Sequence, residues 1–166
     1  MNKMLDYETV ETNGKLIGEG KDRNVYKYGK SIFKISKRCP QQNSKEYYKY
    51  LTTKSNMYNP VIDINWDSTI LEVEECIDIP TLILKTKKIR KSKTKCKNIE
   101  NKIINEELDI FDIISEYNLD EYMKFTKQEV LDFCEKNHQD KEEILFPFNW
   151  GYNKKIKSLV IIDYAD

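Results

Sequence analysis

Alanine is almost missing from this chain, Ala165 being the single one in 166 residues, while glycine, proline and cysteine number only five, four and four. So little glycine and proline, with no Ser-rich stretch, excludes a low-complexity linker and any collagen-like repeat. One domain, or two small lobes, fits the length. No apolar run approaches the roughly 18 residues of a membrane span. The start, "MNKMLDYETVE", lacks a signal-peptide core, so the expected compartment is the cytosol, that of the host if the gene is phage- or virus-borne. Cys39, Cys76, Cys96 and Cys134 form no C-x-x-C pair and His138 is the only histidine, which speaks against a zinc site and for reduced thiols. An excess of one charge is lacking too. Twenty-eight cations balance twenty-eight anions, so any attraction to nucleic acid, membrane or an acidic partner must be local.

What is present is charge and aromatic bulk: 34% charged residues and eleven tyrosines, the make-up of a soluble globular chain with a heavily charged surface. The wealth of Lys, Ile and Asn beside a single Ala is that of an AT-rich genome, as in a low-GC bacterium, its phage or a large virus. Lys15–Ile17, "NVYKYG" and "KSIFKIS" predict three short strands, with Gly29 supplying the positive φ of a hairpin turn. "SKEYYKYLTTK" predicts one amphipathic helix from Ser44, its N-cap, to Lys54. Two strands are expected over Val61–Trp66 and Thr69–Ile77, a helical face of Ile104, Leu108, Phe111 and Ile114, and a helix opened by the capping box Thr126-Lys127-Gln128-Glu129. "NWGYN" and "SLVIID" predict a closing hairpin. The class is α+β.

Three stretches carry chemistry. Gly18-Glu19-Gly20 follows the first strand, Val25 lies five residues after Gly20, and Lys34 sits between apolar neighbours on the third strand. Glu46 lies on the next helix, and Asn149 and Asp163 flank the closing hairpin. In this order the residues resemble the protein-kinase family, with its G-x-G-x-x-G-x-V loop, strand lysine, helix glutamate, catalytic-loop asparagine and D-F-G aspartate. The resemblance implies an antiparallel N-lobe with one helix over residues 1–80 and a reduced helical C-lobe with a short hairpin over 81–166. It implies ATP and Mg²⁺ in an inter-lobe cleft: Gly18, Gly20 and Val25 over the nucleotide, Lys34 on its phosphates and paired with Glu46, Asn149 and Asp163 on the metal.

The departures set the expected activity. Arg23 replaces the third glycine and is expected to put a bulky side chain over the phosphate site, in the way of a nucleotide or, through its charge, in contact with a phosphate. Ile144 stands where the catalytic base belongs, five residues before Asn149, and an isoleucine cannot take a proton; Glu143 or Asp140 would replace it only in another register. D-F-G reads Asp163-Tyr164-Ala165, and the sequence stops at Asp166 without an activation loop. A pseudokinase with weak or no phosphotransfer is the first expectation. The second is a non-enzymatic inhibitor or adaptor, for example a phage-encoded antagonist of a host protein. Its partner would dock on the basic run Lys85–Lys97, eight cations in thirteen residues, or on the acidic helix Glu106–Glu121. Without aromatics in the basic run, nucleic acid is disfavoured. Blander roles stand beside each of these: a hairpin turn for Gly18 and Gly20, an edge-strand surface lysine for Lys34, a turn cap for Asn149, a strand end for Asp163, and a solvated connector for Lys85–Lys97.

Overall fold

Alternation of apolar and polar residues drives the first part of the chain into sheet, and the fold that results is α+β with antiparallel sheets. A computed structural model describes residues 6–38 and 40–163. After a short helix α1 (Tyr7–Asn13) come β1 (Lys15–Glu19), β2 (Arg23–Tyr28) and β3 (Ser31–Ser36), with Gly29 at φ 61° in the tight β2–β3 turn. Helix α2 (Gln41–Thr53) follows, then β4 (Val61–Ile64) and β5 (Ile70–Glu74). The five strands form one antiparallel sheet in the order β1-β2-β3-β5-β4.

Strand periodicity gives this sheet two distinct faces. Val10 of α1 packs on Tyr26, Phe33, Ile35 and Ile70. Tyr47 of α2 packs on the other set, Ile32, Leu71 and Val73 with Val25, Val61 and Ile64. Lys34 pairs with Val25 on one side and Leu71 on the other, so it belongs to the α2 face. Arg23 shares that face, two residues before Val25 on β2.

The chain divides into two units, the second being Cys76–Asp163. There β6 (Ile77–Asp78), β7 (Trp150–Asn153) and β8 (Ser158–Ile161) form a three-stranded antiparallel sheet. Between β6 and β7 run α3 (Ile79–Thr86), α4 (Lys93–Asn105), α5 (Ile110–Glu116), α6 (Lys127–Lys136) and α7 (Lys141–Leu145). Leu82, Ile83, Ile103, Ile113, Val130, Trp150 and Leu159–Ile161 are buried in this unit. Thr126 and Glu129 form the expected reciprocal capping box on α6.

Several expected boundaries move. Helix α2 starts at Gln41 with Pro40 as N-cap, and Ser44 lies inside it, its hydroxyl donating to the Pro40 and Gln41 carbonyls. Pro40, its ring fixing φ at −70°, already has the backbone conformation of a first turn, so the helix begins before Ser44. The fourth strand ends at Ile64, because Asn65–Ser68 turns the chain with Ser68 at φ 61°. Ile77 leaves the large sheet for β6. The single acidic helix over Glu106–Glu121 is not formed: Glu107 adopts φ 51° after α4, Asp109 starts α5 with its own capping box, and Asn118 at φ 54° ends it. Ile104 is therefore exposed rather than part of an apolar stripe. The basic run is only partly a connector, since Lys85 lies in the last turn of α3, Lys87 is its C-cap, and Lys93, Lys95 and Lys97 lie within α4.

Candidate functional site

In the first unit, β3 and α2 bring Lys34 and Glu46 together. The Lys34 ammonium donates to Glu46 Oε1 at 2.6 Å, and the residues are only 7% and 1% exposed. The second carboxylate oxygen, Oε2, accepts from the Arg23 guanidinium at 2.7 Å. The same Arg23 nitrogen also donates to Asn43 Oδ1 at 3.2 Å, one helical turn before Glu46. Asn43 Nδ2 in turn donates to the backbone carbonyls of Lys34, at 3.1 Å, and Ser68, at 3.0 Å. A buried carboxylate is thus met by two cations, and the helix carrying it is tied to β2, β3 and the β4–β5 turn. Buried ions are expensive unless matched and hydrogen-bonded in this way, and an apolar replacement is often as stable or more so. A buried ionic cluster on a sheet face is therefore a candidate for function.

The glycine stretch is a tight turn. Gly18 ends a β-bulge on β1 and pairs with Val25; a side chain added at Gly18 would make only ordinary contact with Val25, 3.6 Å away. The Gly20 N–H donates to the Arg23 carbonyl at 2.8 Å, and the Gly20 carbonyl accepts from the Lys37 ammonium at 2.8 Å. The Gly20 amide is therefore engaged within the turn itself. The Arg23 side chain runs to Glu46 on the α2 face rather than lying over the glycines, which corrects the expectation from sequence.

In the second unit, Asn149 and Asp163 stand at the same end of the β7–β8 hairpin. The Ile162 N–H donates to the Asn149 carbonyl at 2.8 Å, setting Asp163 one residue beyond that bond. Asn149 ends a 3₁₀ turn (Pro147–Asn149), and its side chain donates to the Glu143 carbonyl at 2.8 Å, so its amide oxygen faces away from that bond. Asp163 is exposed. Tyr164 and Ala165, the rest of the D-F-G-like triplet, lie outside the described residues, as does Cys39.

Ile144 is buried, and its carbonyl accepts the Trp150 indole N–H at 2.6 Å, so this position serves the core. Asp140 caps α7 by accepting from the Glu143 N–H at 2.9 Å. His138 is exposed. Among the described residues no cluster of three or more His, Cys, Asp or Glu side chains could hold a metal, and no helix is long and apolar enough to cross a membrane. Mg²⁺ is commonly held by only one or two protein oxygens, with water and substrate phosphate completing its shell. An aspartate and an asparagine oxygen at one hairpin end fit that chemistry.

Comparison with protein-family models, with curated proteins and with solved structures found no match to this chain. Sequence reasoning named Lys34 and Glu46, which the structure pairs, and missed Arg23 and Asn43 as their partners. The signals were there: Arg23 alternates with Val25 on the lysine's face, and Asn43 precedes Glu46 by one helical turn.

Proposed function

We propose that this chain is a kinase-like nucleotide-binding protein, a pseudokinase with weak or no phosphotransfer. The observation that carries the reading is the buried Lys34–Glu46 pair at 2.6 Å, a lysine on the third strand held by a glutamate on the following helix. Kinases require this pair to orient the lysine toward the nucleotide phosphates. The order of elements, three strands, helix, two strands, then helices and a closing hairpin, supports the same reading. Lys34 would hold the phosphates, and Asn149 and Asp163 would hold Mg²⁺, which when bound neutralises phosphate charge. Catalysis is weak because Ile144 offers no proton acceptor and Asp140 is committed to its cap.

The test is thermal unfolding with ATP, with and without Mg²⁺, on wild type, Lys34→Met and Asp163→Asn. ATP at about a hundred times Kd stabilises the folded state by roughly 2.7 kcal/mol, which raises Tm by about 5–10 °C for a chain of this length. The shift should depend on Mg²⁺ and vanish in both variants. Arg23 keeps Glu46 paired in Lys34→Met, so a lost shift there reports lost binding and not a lost fold. No shift in wild type overturns the reading.

A second reading, a non-enzymatic adaptor, draws on the basic run. Lys93 and Lys95 occupy the first turn of α4, which holds no acid, where the helix dipole favours anions. An acidic segment of a protein partner would relieve that mismatch. The acidic stretch is the weaker docking surface, because Asp109 and Asp112 cap α5, Asp109 also binds Lys127, and Glu116 binds Lys102. In this reading Lys93→Glu/Lys95→Glu removes partner binding and leaves any ATP shift intact.

A further inference from the structure

From the geometry around Glu46 we infer that Arg23 is a positioning residue that holds α2 against the sheet before any nucleotide arrives, so that the Lys34–Glu46 pair is preformed. The inference rests on the nucleotide-binding reading for its purpose but not for its test. In the kinase pattern the position of Arg23 is a glycine that lets the backbone approach phosphate. Here the side chain turns inward: it is 11% exposed and spends its contacts on Glu46 Oε2 and Asn43 Oδ1, two residues one turn apart on the same helix face. Arg23 is on β2, whereas Lys34 is on β3, so the two cations grip the carboxylate from neighbouring strands.

The division of labour follows from the oxygens. Each Glu46 oxygen has its own cation, Oε1 with Lys34 and Oε2 with Arg23. A buried carboxylate that loses its only cation is driven toward water, and its helix would swing out with it. With Arg23 on the second oxygen, Glu46 stays matched while the lysine turns toward a phosphate. The guanidinium fork suits this role because it is always charged and has several donors in one plane.

Amide hydrogen exchange on the full chain tests the clamp. In nucleotide-free wild type the α2 amides from Asn43 to Tyr50 should be protected to within tenfold of those of β3. Arg23→Gln should speed α2 exchange at least tenfold and leave β2 and β3 unchanged, while Arg23→Lys, which keeps the charge, should restore at least half of the protection on a logarithmic scale. If ATP binds, its Kd should rise at least fivefold in Arg23→Gln, and saturating Mg·ATP should return α2 to wild-type protection; a residue that merely adds stability would instead speed exchange in every element, β2 and β3 included. If ATP binds neither protein, the nucleotide reading falls and the exchange comparison still decides the clamp. Exchange of α2 in Arg23→Gln within twofold of wild type overturns the inference. Should Arg23→Gln fail to fold, wild type and Arg23→Lys carry the test, and an α2 frayed in wild type overturns it.

Discussion

Gly18 separates the two roles open to the glycine stretch. A methyl group there meets only Val25, at ordinary contact distance, so packing gives no reason for glycine. Gly18→Ala should therefore leave Tm unchanged to within about 0.5 kcal/mol of stability, the range of an unremarkable surface substitution. Under the nucleotide reading it should weaken ATP binding severalfold by holding the backbone off the phosphates, which a titration on the same sample measures. Gly20 cannot make this distinction, because its Cβ would come within 3.2 Å of the Arg23 carbonyl and disturb the turn itself. The sequence named Lys34 and Glu46 because both belong to a known pattern at known spacing. It misled about Arg23, whose bulk at a glycine position read as an obstruction. Strand alternation places Arg23 on the α2 face, but only the position of a helix 20 residues later gives its charge a destination.

Among the elements, strands and the α6 cap were legible because their causes are local: alternation, a turn glycine, a capping box. Helix α2 was legible as a helix but not in its buried face, which contains Asn43 and Glu46 where apolar periodicity looks for aliphatic residues. Helix α1 left no signal, since Val10 is its one buried residue. The acidic stretch misled because two residues in left-handed conformation divide a pattern that is periodic on paper. The piece that results, α5, is clasped to α6: the Lys127 ammonium donates to Asp109 Oδ2 at 2.7 Å. Burial alone would raise the Asp109 pKa, but the lysine and the Asp112 N–H outweigh it and hold the carboxyl below its ordinary 3.8. A lowered folded-state pKa contributes stability above the unfolded value that disappears as pH falls through the folded one. Asp109→Asn keeps a cap oxygen and removes the charge. Its Tm should lie below that of wild type at neutral pH, and the gap should close as pH drops below 3.8; a gap independent of pH would refute the clasp.

At the scale of the whole molecule, electrical neutrality conceals a segregated surface. All eight cations of Lys85–Lys97 are exposed, yet some have internal tasks: Lys87 lies 4.8 Å over the Tyr117 ring, and Lys97 meets Glu100 at 3.7 Å. Composition could report the total charge but not its address, since address depends on which residues the helix ends bring to the surface. The two tryptophans are distributed in the same uneven way, one in each unit. Trp66, at the tip of the β4–β5 turn, is 87% exposed, whereas Trp150 is 1% exposed with its indole bonded inside the core. The consequence is optical. In the folded chain the emission should be the sum of a water-like red component and a blue one, and exposure to solvent can redden only the second. Fluorescence followed along a denaturant gradient therefore watches the hairpin unit alone, and Trp66→Phe should sharpen that signal without moving its midpoint, while far-ultraviolet dichroism in the same cuvette follows the helices and strands of both units together.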